Sequence, residues 1–197
     1  MKPHLVERAR SHFIESGEIH RALAELCLDS VLAAAKIVAE SFDSGGKVLI
    51  CGNGGSAADS QHMATEFVSR LTKDFERPGL PAIALTTDTS FLTAFANDCG
   101  FEDVFVRQVL TLGKPGDVLI GISTSGGSEN VNRAVASARR LSMGTIALTG
   151  RDGLKEDATI TIAVPSVNTQ YVQEAHQSIE HVICDLVEQQ LFVKAER

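Results

Sequence analysis

The chain has 197 residues, 44% of them hydrophobic, which suits one globular domain with a substantial core. Its 18 Lys and Arg residues against 25 Asp and Glu residues give a net charge of −7, which disfavours binding to nucleic acid or to an anionic membrane. No apolar run approaches the roughly 18 residues of a membrane span, and the cysteines form no C-x-x-C pair. We therefore expect a soluble, cytoplasmic protein that binds any anionic ligand through local groups.

The first 42 residues are predicted to be helical, as one long helix or as two, because apolar residues recur at helical spacing from Ile19 to Phe42. Five short apolar runs follow, at residues 47–51, 81–87, 117–123, 145–149 and 159–164. Their hydrophobicity is continuous rather than alternating, which is typical of parallel strands buried on both faces. We predict an α/β fold: a three-layer sandwich with a five-stranded parallel sheet flanked by helices, and extra N-terminal helices.

The segment from Thr169 to Lys194 is also predicted to be helical, with a broad apolar stripe. The helical segments at the two ends carry more apolar surface than the covers of the sheet require, which favours pairing between subunits. The alternative is that both segments simply complete the core of the monomer. We expect a homo-oligomer of single-domain subunits, 1–197, with the segment 1–42 in the interface.

A glycine loop, residues 51–56, follows the first predicted strand and leads into a helix that begins near Ser56. It contains the pattern G-x-G-x-x-A, in which glycines can let a backbone approach a pyrophosphate. That dinucleotide interpretation is weak, because Asp88, the nearest acidic residue at the end of the next strand, comes far later than the usual spacing of about 20 residues. A Walker loop is excluded, since the chain contains no Gly-Lys-Ser/Thr.

A hydroxyl loop, residues 123–128, follows the third predicted strand and opens a helix predicted over Glu129 to Leu141. Backbone N–H groups at a helix N-terminus favour an anion, and Ser and Thr hydroxyls add neutral donors. The alternative is an ordinary N-cap with turn residues. Because both loops stand at the carboxyl ends of parallel strands, where open α/β sheets bind ligands, we expect a phosphate monoester site.

His62 and Glu66 are four residues apart in the helix after the glycine loop, so both project from one face. Such a pair can hold a metal ion or place a carboxylate base beside an imidazole, although a lone pair of this kind is usually a surface feature. Near the C-terminus, a polar run from Gln173 to His181 interrupts an otherwise apolar helix.

The most specific motifs of the chain are Cys51–Ser56, His62-x-x-x-Glu66, Pro81–Asp88, Asn97-Asp98-x-Gly100-Phe101, Gly121–Gly126, Leu148–Gly150 and Gln173-Glu174-x-His176. Together they resemble the sugar isomerase (SIS) domain family, over about Lys47 to Leu191. The resemblance is strongest to those members that isomerise sedoheptulose 7-phosphate.

The resemblance implies a flavodoxin-like or Rossmann-like SIS fold and an aldose–ketose isomerase. Its reaction would convert sedoheptulose 7-phosphate to glycero-manno-heptose 7-phosphate through an enediol, as the first step of ADP-heptose precursor synthesis for lipopolysaccharide. It also implies a homotetramer with one zinc ion per subunit. The alternative is a non-catalytic SIS protein that binds a phosphosugar or a replication initiator. Such a relative lacks the matching glutamate and final histidine, whereas Glu66 and His181 are present here.

Site residues are implied by the same resemblance. Glu66 is expected to be the catalytic base and His181 its acid/base partner. Zinc ligands are expected at His62, Glu66, Gln173 and His181, with the role of the metal left open between catalytic, structural and orienting. The residues expected to line the substrate site are Asn53, Gly54, Gly55, Ser56, Glu66, Asn97, Asp98, Ser123, Thr124, Ser125, Ser128 and Gln173.

The spacing of Gln173 and His181 raises a difficulty for this ligand set. On one continuous helix they would lie about 12 Å apart along the axis, whereas ligands of a single zinc lie within about 2.0–2.3 Å of it. Either the helix begins after Gln173 or the site takes residues from two subunits. We favour the second, with Glu66 and His181 supplied by different chains.

Overall fold

The computed structural model describes residues 2–74 and 76–193. Two helices, α1 (Pro3–Leu26) and α2 (Leu28–Asp43), precede the sheet and meet at Cys27, so the N-terminal segment forms two helices rather than one. α2 buries a face that includes Val31, Val38 and Phe42, whereas α1 buries no residue. In the described ranges, no helix combines the length and apolarity that crossing a membrane would require.

Five strands form one parallel sheet, which confirms the predicted fold class. They are β1 (Val48–Gly52), β2 (Ala82–Ala84), β3 (Val118–Ser123), β4 (Gly144–Thr149) and β5 (Ile160–Ala163), in the order β2-β1-β3-β4-β5. Every residue of β1 and β3 is buried, which explains their continuous hydrophobicity.

The connecting helices are α3 (Gly55–Val68), α4 (Thr89–Cys99), α5 (Val104–Leu112), α6 (Glu129–Arg140) and α7 (Thr169–Phe192), with a 3₁₀ turn at Phe101–Asp103. The start of α3 and both ends of α6 lie within one residue of their predicted positions. The predicted end of the last helix, Lys194, lies outside the described residues.

Two apolar clusters cover the two faces of the sheet and make the fold a three-layer sandwich. Ile50 and Ile120 point into a cluster with α2, α3 and α7, whereas Leu49 and Leu119 point into a cluster with α5 and α6. The alternation follows from the period of two along a strand.

The chain reverses its direction of progress across the sheet at β1. From β1 it moves outward to β2, and it then returns to place β3 on the other side of β1. β1 and β3 pair in register, with Gly52 opposite Ile122, so the glycine loop and the hydroxyl loop leave the sheet side by side. This switch point is where open parallel sheets form a ligand crevice.

Candidate active site

A pair of asparagines joins the two loops. Asn53 Nδ2 donates to Asn130 Oδ1 at 2.8 Å, and Asn130 Nδ2 donates back to Asn53 Oδ1 at 2.9 Å. Asn130 Oδ1 also accepts from the backbone N–H of Val131 at 3.0 Å. The glycine loop is thereby fixed to the start of α6. Sequence reasoning missed Asn130, because one asparagine in a first helical turn forms no distinctive pattern.

The hydroxyl loop has a defined conformation. Ser123 Oγ donates to Ser128 Oγ at 2.9 Å. Gly126 has φ +68°, and a Cβ placed there would lie 1.7 Å from the carbonyl oxygen of Gly153, so this position requires glycine. Ser125, by contrast, is exposed at the open side of the loop.

Asn132 holds the same loop from within α6. Its Nδ2 donates to the carbonyls of Gly126 at 3.0 Å and Ser128 at 2.9 Å. Its Oδ1 accepts from the backbone N–H groups of Lys155 at 3.0 Å and Glu156 at 3.2 Å. The loop is therefore held by an amide whose two polar atoms both have partners.

The alternative of an N-cap with turn residues is met in part: Ser125 Oγ accepts from the Gly127 N–H at 3.2 Å, as in an ordinary turn, but Ser128 does not cap the helix. Ser128 is the N-cap residue of α6, yet its side chain makes no capping hydrogen bond and instead accepts from Ser123. The Val131 N–H of the first turn is bonded to Asn130 Oδ1, and the preceding N–H groups of α6, together with the hydroxyls, suit an anion such as phosphate.

The glycine loop has a structural reason for its composition. Gly54 has φ +56°, and a Cβ at Gly55 would lie 2.2–2.6 Å from the side-chain amide of Gln173 on α7. The glycine at 55 thus admits Gln173 against the first turn of α3. This packing role accounts for Gly55 without a bound dinucleotide.

α3 and α7 lie side by side and run in the same direction from this edge of the sheet. Gln173 contacts Gly55 near their starts, and His181 contacts His62 further along. The two rings meet edge to face, with His62 Nε2 and His181 Nε2 2.8 Å apart, and Glu66 Oε1 lies 3.8 Å from His62 Nδ1.

This arrangement bears on two expectations. His62, Glu66 and His181 come together within one chain, so a single subunit is able to supply the pair that was expected to come from two. α7 begins at Thr169, so the helix does not start after Gln173. The reason is the parallel packing of α3 and α7, which the spacing within either helix alone does not reveal.

Gln173 contacts a different residue of α3. Its Nε2 donates to Asp59 Oδ1 at 3.5 Å, and Gln177 Nε2 donates to the same oxygen at 3.2 Å. Asp59 is only 1% exposed. Its burial raises the pKa of this carboxyl, while the two amide donors oppose that shift. Sequence reasoning missed Asp59, although an acid on the buried face of a predicted helix is a signal.

Glu180 and His176 are buried in α7 without full hydrogen bonding. Both carboxyl oxygens of Glu180 and the Nδ1 of His176 have no partner among the described residues. Burial, with the nearby Asp59 carboxyl, raises the pKa of Glu180 to about 9, so this group is neutral at pH 7. Burial lowers the pKa of His176 to about 4, so the ring is also neutral, with Nε2 3.2 Å from the Thr149 carbonyl.

Asn97 and Asp98 lie elsewhere. Both are exposed at the end of α4, a helix that buries no residue, and Asn97 Nδ2 donates to Asp98 Oδ1 at 2.8 Å. Within residues 2–74 and 76–193, no hydrogen bond or ion pair joins them to either loop or to the α3–α7 pair. One chain therefore assembles only part of the predicted substrate site.

The side chains around His62 are of types that zinc takes as ligands. His62 Nε2 lies against His181 Nε2 while His62 Nδ1 lies toward Glu66 Oε1, so the three donors do not converge on one point. Among the residues that the structure describes, no group of three or more His, Cys, Asp or Glu side chains is arranged to hold a metal ion.

Comparison with known proteins identifies the family. Residues 12–150 match the SIS domain family. A phosphoheptose isomerase from a Roseiflexus species is 52% identical over 179 residues, which cover 90% of each chain. That from Aquifex aeolicus is 52% identical over 187 residues, covering 94% of this chain and 97% of the relative. The chain belongs to the phosphoheptose isomerase family.

Two solved phosphoheptose isomerases share this fold. The structure from Neisseria gonorrhoeae has a TM-score of 0.86 and 44% identity, covering 94% of this chain and 99% of that one. The structure from Francisella tularensis has a TM-score of 0.89 and 38% identity, covering 96% of this chain and 100% of that one. Membership of the phosphoheptose isomerases confirms the predicted family, α/β fold and isomerase class, and it disfavours the alternative of a non-catalytic binding protein.

Proposed function

We propose that the chain isomerises sedoheptulose 7-phosphate to glycero-manno-heptose 7-phosphate, with Glu66 as base and His181 as acid/base partner. The observation that carries this proposal is the meeting of Glu66, His62 and His181 between α3 and α7, since α3 begins at the glycine loop. The reaction would supply the first step of ADP-heptose precursor synthesis, in the cytoplasm.

The hydroxyl loop binds the phosphate in this proposal. Thr124, Ser125 and the N-terminus of α6 offer neutral donors, which suit an acidic protein with a dianionic ligand. His62 comes seven residues after the start of α3, about 10 Å along its axis. That is the order of length of an extended heptose phosphate, so the reacting carbons reach the α3–α7 pair while the phosphate remains at the loop. Other expected substrate contacts are Asn53, Gly54, Gly55, Ser56, Ser123, Ser128 and Gln173.

The isomerisation moves one proton between neighbouring carbons. Glu66 takes the proton from C1, the electron pair of that bond forms the C1–C2 double bond, and O2 takes a proton from His181. In the second half, Glu66 returns its proton to C2 and O1 gives its proton to His181, which leaves an aldehyde at C1. Atoms and charge balance over the cycle, and no external oxidant is needed.

A zinc ion would be held by His62 and His181, with Glu66 and Gln173 as the further ligands implied by the family. When bound, it would supply Lewis-acid stabilisation of the oxygen that becomes negative. Glu66 then has two roles, and a carboxylate tied to a metal is a weaker base. The exposed rings of His62 and His181 leave this position open to exchange with solvent.

A homotetramer is the assembly that we propose, with residues 1–42 of the single SIS domain in the interface. Phe13 is 77% exposed and Leu26 67% exposed on α1. An apolar groove of about 240 Å³ runs between α1, α2 and α7, lined by residues that include Leu23, Leu28 and Val182. Burial of this surface favours association, and Asn97 and Asp98 would then complete the site of a neighbouring subunit.

The experiment is a coupled assay of the purified protein on a panel of ketose phosphates, with and without a chelator. Sedoheptulose 7-phosphate is expected to yield a reducing aldose phosphate, and ketose phosphates of other chain lengths are expected to react more slowly. Binding of sedoheptulose 7-phosphate without turnover, in protein loaded with zinc, would contradict the proposal and support a binding protein instead.

A further inference from the structure

Arg77, in the loop that follows α3, has a charged side chain buried between that helix and α7. The side chain is 1% exposed and pairs with Glu188 of α7, whose side chain is 3% exposed, with 2.6 Å between Nη2 and Oε1. Arg77 Nε donates to the same oxygen at 2.7 Å. A buried ion pair contributes little net stability compared with well-packed apolar residues, because both charges lose their hydration. The pair therefore points to a task beyond stability.

The guanidinium of Arg77 also closes the last turn of α3. Glu66 and Phe67 lie in that turn, where carbonyl groups have no partner within the helix. Arg77 Nη2 donates to the Glu66 carbonyl at 2.7 Å, and Nη1 donates to the Phe67 carbonyl at 2.8 Å. A cation at this end of a helix also faces the negative end of the helix dipole. Arg77 thus holds the backbone of the residue that carries the proposed base.

Glu188 ties the same arginine to the helix that carries His181. Glu188 comes seven residues after His181, two turns along α7, so the two side chains leave the helix on the same face. Its Oε1 also accepts from the backbone N–H of Leu71 at 3.0 Å, which binds the start of the loop to α7 as well. Contacts therefore run from the Glu66 carbonyl through Arg77 to Glu188, and α7 joins Glu188 to His181.

We propose that Arg77 is a positioning residue for the isomerisation, which fixes the last turn of α3 and so sets where the Glu66 carboxylate stands relative to His181. The inference rests on the proposed function, because Glu66 acts as a base only there. Arg77 is buried away from any substrate and acts through the backbone of Glu66. A displacement of about 1 Å at a reacting group can cost about 100-fold in rate, so an unwound last turn would slow proton transfer without weakening phosphate binding at the hydroxyl loop.

Arg77→Lys tests this role, because it keeps a charge beside Glu188 but loses the planar fork that reaches two carbonyls and a carboxylate together. We expect kcat for sedoheptulose 7-phosphate to fall about 10-fold to 100-fold, with KM within about threefold of the wild type. The matched control is Lys47→Arg, the reverse exchange in the ion pair that Lys47 forms with the buried Asp117, just before β1 and β3. That pair lies at the opposite edge of the sheet, so kcat should stay within about twofold of the wild type.

A double-mutant cycle separates positioning of the base from general damage to the fold. Adding Arg77→Lys to Glu66→Gln should lower the residual kcat by less than about threefold, because no base is left to misplace. A loss of the same size in both backgrounds would show a purely structural role and overturn the inference. Thermal unfolding of each variant checks that kcat is measured on folded protein.

Failure of the inference and failure of the proposed function give different results. An active wild type whose kcat is unchanged by Arg77→Lys would overturn the inference alone. An Arg77→Lys protein that does not fold would overturn it too, because Arg77 would then serve the fold rather than the base. A folded wild type that does not turn over sedoheptulose 7-phosphate would instead overturn the proposed function, and the inference with it.

Discussion

Buried polar side chains are fully hydrogen-bonded in the two loops at the sheet edge but not between α3 and α7. In the loops, Asn53, Asn130 and Asn132 have partners for both ends of their amides. Between the helices, one oxygen of Asp59 and both oxygens of Glu180 have none among the described residues. The contrast teaches that the loops form a fully hydrogen-bonded binding frame, whereas the helix pair buries acids whose hydrogen bonding is incomplete.

Removing the base at the helix pair gives the largest expected effect. Glu66→Gln is nearly isosteric but cannot accept the carbon-bound proton, so kcat should fall about 1,000-fold, or about 4 kcal/mol, with little change in substrate affinity. Steady-state kinetics with sedoheptulose 7-phosphate measures this. Glu76→Gln, at a side chain 97% exposed, is the control and should leave kcat unchanged. A Glu66→Gln protein with more than a tenth of the wild-type kcat would show that Glu66 is not the base.

A change that displaces the hydroxyl loop should instead weaken substrate binding. In Gly126→Ala the new Cβ collides with the Gly153 carbonyl at a position with φ +68°, so the hydroxyl loop must move. We expect KM to rise about 10-fold to 100-fold, or roughly 1.4–2.7 kcal/mol. Gly127→Ala is the matched control, because its Cβ would meet only Ser125 Oγ at 3.6 Å. Similar KM values for both variants would contradict the account of a rigid loop.

The pattern of correct and missed predictions follows the same division. The strands and most helices could be predicted because hydrophobic periodicity is local to each element, as in residues 117–123 and β3. The position of the hydroxyl loop, between the end of β3 and the start of α6, could also be predicted, because that strand and that helix are each recognisable from local sequence.

Asn130, Asp59 and Glu180 could not be found in that way, because their importance depends on partners far along the chain. The same limit explains why the meeting of Glu66 and His181 within one chain was not predicted. Gln173 and His181 are eight residues apart on α7, and this spacing can be read from the sequence. The direction in which α3 passes α7 cannot be read in that way, because it depends on how both helices pack on the sheet.

Because Glu180 is buried and neutral, we expect the stability of the fold to depend on pH. The pKa of Glu180 is about 9 in the folded chain against an ordinary 4.5, so between these values the native state keeps a proton that the unfolded state releases. The free energy of unfolding therefore falls as pH rises through that window.

Glu180→Gln removes this loss, so its advantage over the wild type should grow by on the order of 4 kcal/mol from pH 5 to pH 8. Urea unfolding at the two pH values measures the difference. The control is Glu40→Gln, at a side chain that is 57% exposed, which should show no such trend. A difference between Glu180→Gln and the wild type that does not change with pH would mean that Glu180 is ionised in the folded protein.

The smallest expected effect is the loss of one hydroxyl from the frame. Ser125→Ala removes a single donor to the phosphate dianion, so KM should rise roughly 10-fold, or about 1.4 kcal/mol, while kcat stays nearly constant. Ser44→Ala, exposed after α2 at the opposite edge of the sheet, should change neither constant. An unchanged KM in Ser125→Ala would place the phosphate away from this hydroxyl.

The central claim is that one chain supplies both members of the catalytic pair. It can be tested by mixing inactive Glu66→Gln and His181→Ala proteins, carrying different tags, under conditions that exchange subunits. Because His181 lies against His62, one turn from Glu66 in the same chain, no mixed site would contain both wild-type groups. The account predicts that the mixture stays inactive although hybrid oligomers are recovered through both tags. Activity that returns as hybrids form would contradict it and show that Glu66 and His181 act from different subunits.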